Sequence, residues 1–143
     1  MRYELAKDLL HHLDSDGSFG IGNADAKTTA VLEDLQIPLD LKRLLQWSWT
    51  TRGGQVGPYT LYSIYEIPAN DDFEQLLKYQ MIPVGFAANG DLLVIRFADE
   101  KFAVGLVSHD EFWEGESDPL QAYAEITPSI DEYLWRVAVS IFR

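Results

Sequence analysis

The chain has 143 residues, 47% of them apolar, with four Trp, seven Tyr and seven Phe, which is the size of one domain with a core of its own and excludes intrinsic disorder. Its formal net charge of −12 and pI of about 4.4 argue against nucleic-acid binding and against an anionic membrane surface, and favour association with basic partners. The absence of cysteine excludes disulfides, thiolate nucleophiles and Cys-ligated zinc.

The segment from Met1 to Asp8 carries charges where a signal peptide needs an apolar run, and no apolar stretch approaches the ~18 residues of a membrane span. The expected compartment is the cytosol.

In chain order, Leu5, Leu9 and Leu13 repeat every four residues, so residues 2–13 are expected as an amphipathic helix. The Gly-, Ser- and Asp-rich stretch 14–23 reads as a loop that sets this helix slightly apart from the rest. A second helix is expected over 24–36, capped by Asn23 or Asp25, with Val31, Leu32 and Leu35 facing inward. Ile37-Pro38 breaks it, and Pro38 suits the first turn of a third helix with Leu41, Leu44, Leu45 and Trp49 inside.

Residues 52–58 form a turn-rich connector, and the aromatic and β-branched run 59–67 reads as a strand. Asn70-Asp71-Asp72 offers a cap for a short helix carrying Phe73, Leu76 and Leu77. Residues 81–87 and 91–97 then read as two strands, and the Asn89-Gly90 pair between them predicts a type I′ hairpin turn. A second turn at 99–101 leads to a third strand over 102–108. Both faces of the middle strand are mostly apolar, so it is expected to be central, with helices on at least one side. Residues 109–125 read as a loop or irregular strand. Ser129 and Glu132 fit a capping box ahead of a last helix with Tyr133, Leu134, Val137 and Ile141 buried. The fold class expected is a single α+β domain: a twisted antiparallel sheet with a three-strand meander over about 81–108, packed by helices.

No motif for catalysis is visible. There is no Gly-x-Ser-x-Gly elbow, and the Gly20-Ile21-Gly22 and Gly53-Gly54 pairs lack the rest of a dinucleotide or phosphate loop. His11 and His12 are adjacent on a helix and point about 100° apart, so one metal cannot easily take both. His109 beside Asp110 and Glu111 has divalent-ion donors but no metal-motif spacing, and reads as a surface histidine. The expectation is no catalytic residues, no metal and no cofactor.

Charge distribution is more informative. No Lys or Arg lies between Lys101 and Arg136, a window that also contains Glu125, Asp131 and Glu132. Its densest part carries Asp110, Glu111, Glu114, Glu116 and Asp118 beside Phe112 and Trp113. Acids beside aromatics suit protein docking, since aromatics anchor and charges steer; the alternative is that Phe112 and Trp113 plug the core and the acids are only solvated. These seven residues are the expected partner-binding site. Exposed strand edges and the aromatic connector from Trp47 to Trp49 leave a dimer open.

Several of these pieces resemble the SUKH superfamily, which includes the yeast cell-wall synthesis regulator. The corner Ile37-Pro38-Leu39-Asp40-Leu41-Lys42-Arg43-Leu44-Leu45 is similar to its I/L-P-x-x-L/Y-K-x-x-L motif, and Gly53-Gly54 to its N-G-G turn, here without the Asn. Residues 59–67 match a strand ending in an acid, with Glu66 in that place. Ile82-Pro83-Val84-Gly85-Phe86, Asn89-Gly90-Asp91 and residues 92–97 resemble its I-P-I-G…G-D hairpin. Val104 and His109 sit where the family often has a strand and a polar residue after it, and residues 129–137 resemble its closing S-F-x-E-F-L helix. The resemblance spans about residues 24–138. It implies an α+β fold and a scaffold without shared catalytic residues, in which Gly85, Gly90 and Asp91 are fold determinants. It also implies a class of partner. Bacterial members act mainly as immunity proteins that bind toxins, often nucleases or deaminases, and other members are regulators or adaptors of endogenous clients. The expected partner is therefore a protein, a basic toxin domain, with an endogenous client as the alternative.

Overall fold

A computed structural model describes residues 1–109 and 119–139. Helix α1 (Tyr3–Leu13) leads into strand β1 (Ile21–Gly22), then helices α2 (Ala26–Glu33) and α3 (Leu39–Trp47). Strands β2 (Trp49–Thr50), β3 (Gly54–Val56) and β4 (Tyr59–Leu61) follow, then short helices α4 (Glu66–Ala69) and α5 (Phe73–Leu77). The meander β5 (Met81–Phe86), β6 (Leu92–Arg96), β7 (Ala103–Val107) is followed by β8 (Tyr123–Thr127) and helix α6 (Ile130–Ala138). The architecture is α+β. A six-stranded antiparallel sheet runs in chain order from β3 to β8, and β1 and β2 make a separate two-stranded ladder.

Side-chain alternation along β6 divides the interior. Leu93 and Ile95 face the main core, which takes in Ala6, Leu9 and Leu10 of α1, Leu41, Leu44 and Leu45 of α3, and Leu134 of α6. Leu92 and Val94 face a smaller cluster with Leu76, Met81, Val107 and Ala122. The middle strand is central, and apolar on both faces for that reason. On the second face Arg96 lies over the Tyr123 ring, 5.7 Å from its centroid, and burial pushes the Tyr123 hydroxyl up to about 12.

Several expectations give way to local physics. The first helix is not set apart: α1 packs on α3 and α6, and the loop after it contributes β1, paired with β2. Asp14 organises that loop by accepting from Phe19 N–H at 2.8 Å and Ile21 N–H at 2.9 Å. In α2 the cap is Asp25, accepting from Thr28 N–H at 2.7 Å, and Val31 is exposed while Leu32 is buried. Trp49 is buried, but in β2; its indole N–H donates to the Tyr62 carbonyl at 3.1 Å.

The connector 52–58 contains β3, the outer strand of the large sheet. The expected strand 59–67 ends at Leu61 because Ser63 and Glu66 form a reciprocal capping box. Ser63 Oγ accepts from Glu66 N–H at 3.3 Å and Glu66 Oε1 accepts from Ser63 N–H at 3.0 Å, which starts α4. The hairpin after Phe86 is not type I′. Its loop is Ala88-Asn89-Gly90, closed by Gly90 N–H to Ala87 O at 3.0 Å, and Gly90 alone takes positive φ, +94°. Asn89 instead folds its side chain onto Asp91, accepting from Asp91 N–H at 3.1 Å. This matches the three-residue loop of a type I turn followed by a bulge.

The segment read as irregular before 125 ends in β8, a sixth strand. Ser129 caps α6 from Glu132 N–H at 3.2 Å, while the Glu132 carboxylate turns to Arg136, at 3.1 Å. Tyr133 and Leu134 are buried and Val137 partly so; Ile141 lies outside the described residues.

Candidate functional site

The expected partner-binding residues Asp110, Glu111, Phe112, Trp113, Glu114, Glu116 and Asp118 all lie outside the described residues. Their point of departure is described. His109 is held against the β5–β6 hairpin by Asp91, whose Oδ1 accepts from the His109 backbone N–H at 3.0 Å and meets Nδ1 at 2.7 Å. The hydrogen bond to the His109 ring, with burial opposing it, holds the Asp91 carboxyl below the usual carboxylate range. Gly90 lies against the same imidazole. His109 is thus tied to Asp91 across the sheet.

Beside this clamp, on the second face of the sheet, is an open groove of about 290 Å³ lined by Tyr62, Asn70, Asp71, Asp72, Phe86, Gly90 and Leu92. The fold builds it in three steps. Gly85 lets β4 and β5 approach so closely that a Cβ there would fall inside the Thr60 carbonyl, which brings Tyr62 against Phe86 with ring centroids 5.5 Å apart. The Ser63–Glu66 box turns the chain from Leu61 into α4 and returns it over the sheet. Asn70 then accepts from Asp72 N–H at 2.9 Å, setting the two aspartates on the rim ahead of α5.

Among the described residues no Lys or Arg lines this groove. Phe86 is 37% exposed, high for a strand phenylalanine beside a core. Burial, and then the Asp71 charge, push the Asp72 carboxyl up. Burial also raises the Tyr62 hydroxyl, with the Asn70 side chain opposing and Glu66 and Asp72 adding to the rise. Acids thus stand beside partly exposed aromatics here, the combination expected for 110–118 but drawn from α4, α5 and the hairpin. By sequence Asp71 and Asp72 belong to a helix cap and Phe86 to a strand. Local pattern gave no signal that they meet.

Two other grooves carry basic residues. The groove beside Trp47, which is 51% exposed, also carries Lys7 and His11, and a groove of about 580 Å³ between Asp34 and Phe97 carries Lys78. Among the described residues no group of three or more His, Asp or Glu is placed to hold a metal ion, and no helix is long and apolar enough to cross a membrane. No family model, curated protein or solved structure matches this chain.

Proposed function

We propose that this chain is a non-catalytic protein-binding domain that docks a basic protein, and that the partner is a toxin which it neutralises as a cytosolic immunity protein. The observation that carries the reading is the groove of Tyr62 and Phe86, rimmed by Asp71 and Asp72 and lined by no Lys or Arg among the described residues, on a chain of net charge −12. Aromatic residues supply the anchoring area of an interface, and a field of one sign speeds encounter with the opposite sign. The resemblance to SUKH immunity proteins supports the class of partner. A nuclease must hold phosphate in a basic channel, so an acidic domain that covers the channel competes with its substrate.

The test is affinity capture from the source cells with the intact chain, followed by co-expression with each basic protein captured. The expected result is a complex whose affinity falls steeply with salt and a captured protein whose toxicity is relieved by co-expression. Capture of an endogenous client with no growth phenotype would favour the adaptor reading, and absence of any basic partner would remove both.

A further inference from the structure

Half-buried carboxylates need compensation, because burial disfavours the charged form. Among the described residues this chain compensates nearly all of them. Asp14 accepts two backbone N–H groups, Asp40 lies 3.9 Å from Arg43, Asp91 holds His109, Asp131 accepts from the Arg2 N–H at 3.2 Å, and Glu132 pairs with Arg136. Asp72 is the exception. It is half-buried, its carboxylate has no hydrogen bond or ion pair among the described residues, and Asp71 adds a like charge beside it. Asp72 borders a groove that the Tyr62–Phe86 ring pair and Gly90, without a side chain, also line.

We propose that this groove is a socket for one arginine side chain of the partner protein, with the guanidinium stacked on the Phe86 and Tyr62 rings and paired with Asp72. The inference rests on the protein-binding reading and gives it a chemical address. Arginine fits better than lysine for two reasons. A planar guanidinium stacks on aromatic faces, and it is more weakly hydrated than an ammonium, so it loses less on entering a partly apolar groove. Its charge would relieve the repulsion between Asp71 and Asp72 and supply the partner that Asp72 lacks among the described residues.

The experiment is an NMR titration of the isotope-labelled full chain at low salt with three capped peptides, Gly-Gly-X-Gly-Gly, in which X is arginine, lysine or citrulline. The arginine peptide should shift the amides of Tyr62, Asp72, Phe86 and Gly90 saturably. The lysine peptide should bind several-fold more weakly, and the uncharged citrulline peptide should give no saturable shift. Asp72→Asn and Phe86→Ala should each weaken arginine binding about tenfold, the scale of one charge-assisted or cation–π contact. An amide spectrum that otherwise overlays the wild type keeps a misfolded variant from counting. Shifts scattered over Glu74, Asp34 and Asp131, equal response to arginine and lysine, or unchanged binding in Asp72→Asn would each overturn the socket. Unchanged affinity of Asp72→Asn for a captured basic protein would overturn the socket while leaving the protein-binding reading intact. That reading fails separately, if wild type captures no basic partner.

Discussion

Asp72 and Asp91 lie on either side of the groove and have opposite electrostatic fates, which makes them a matched pair for experiment. The folded state lowers the Asp91 pKa through His109, so ionised Asp91 stabilises the fold above the ordinary carboxylate range and that contribution is lost as pH falls through the lowered value. Asp91→Ala should cost about 2 kcal/mol in urea unfolding at neutral pH, the scale of charge-assisted hydrogen bonds, and the gap to wild type should narrow in acid. The folded state raises the Asp72 pKa, so ionising it there is a penalty, present at neutral pH and absent below the unfolded value near 3.8. Asp72→Asn should therefore raise Tm at neutral pH, and the advantage should vanish when the scan is repeated below that pH. Caps formed with a neighbour three residues away, Asp25 with Thr28 and Ser129 with Glu132, were legible in sequence because both partners lie in one motif. Asp91 and His109 are 18 residues apart and share no local pattern, so only the fold reveals the pair.

At the scale of elements, legibility followed length and periodicity. Helices α1, α3 and α6 and strands β5 to β7 are long enough for apolar spacing to mark them. Strand β3 has three residues, too few to establish alternation. In β8 the ladder skips Ile126, since Val104 of β7 pairs with Thr127 and Gly105 with Glu125, which breaks the period of two. The run 59–67 looks like a strand by composition, yet the Ser63-x-x-Glu66 motif overrules it at Ile64. That box is the element on which the groove depends, since it redirects the chain from Tyr62 to Asn70. Ser63→Ala and Glu66→Ala should each destabilise by about 1 kcal/mol. The double variant should cost less than their sum, because either change breaks the same reciprocal pair; a double-mutant cycle in denaturant measures the coupling.

Across the whole molecule, the acid excess was evident from composition, but its placement was not. By sequence the densest acidic run is 110–118. The described structure instead assembles aromatic and acidic groups from residues 62, 70–72, 86, 90 and 92, which only sheet topology makes neighbours. A net charge of −12 on 143 residues also repels itself in the compact state. Added sodium chloride should therefore raise Tm in differential scanning calorimetry even as it weakens association with a basic partner. Opposite salt responses of folding and binding would separate the two roles of the same charges.

The seating of α1 against α6 bears on time as well as on stability. Neighbouring strands in the large sheet are neighbours in the chain, so its ladders close short loops, whereas the packing of α1 on α6 joins segments more than a hundred residues apart. The meander is thus expected to form while α1 is still undocked. Leu10→Ala should speed unfolding and leave the refolding rate nearly unchanged, while Ile95→Val in β6 should slow refolding, a contrast that stopped-flow chevrons resolve.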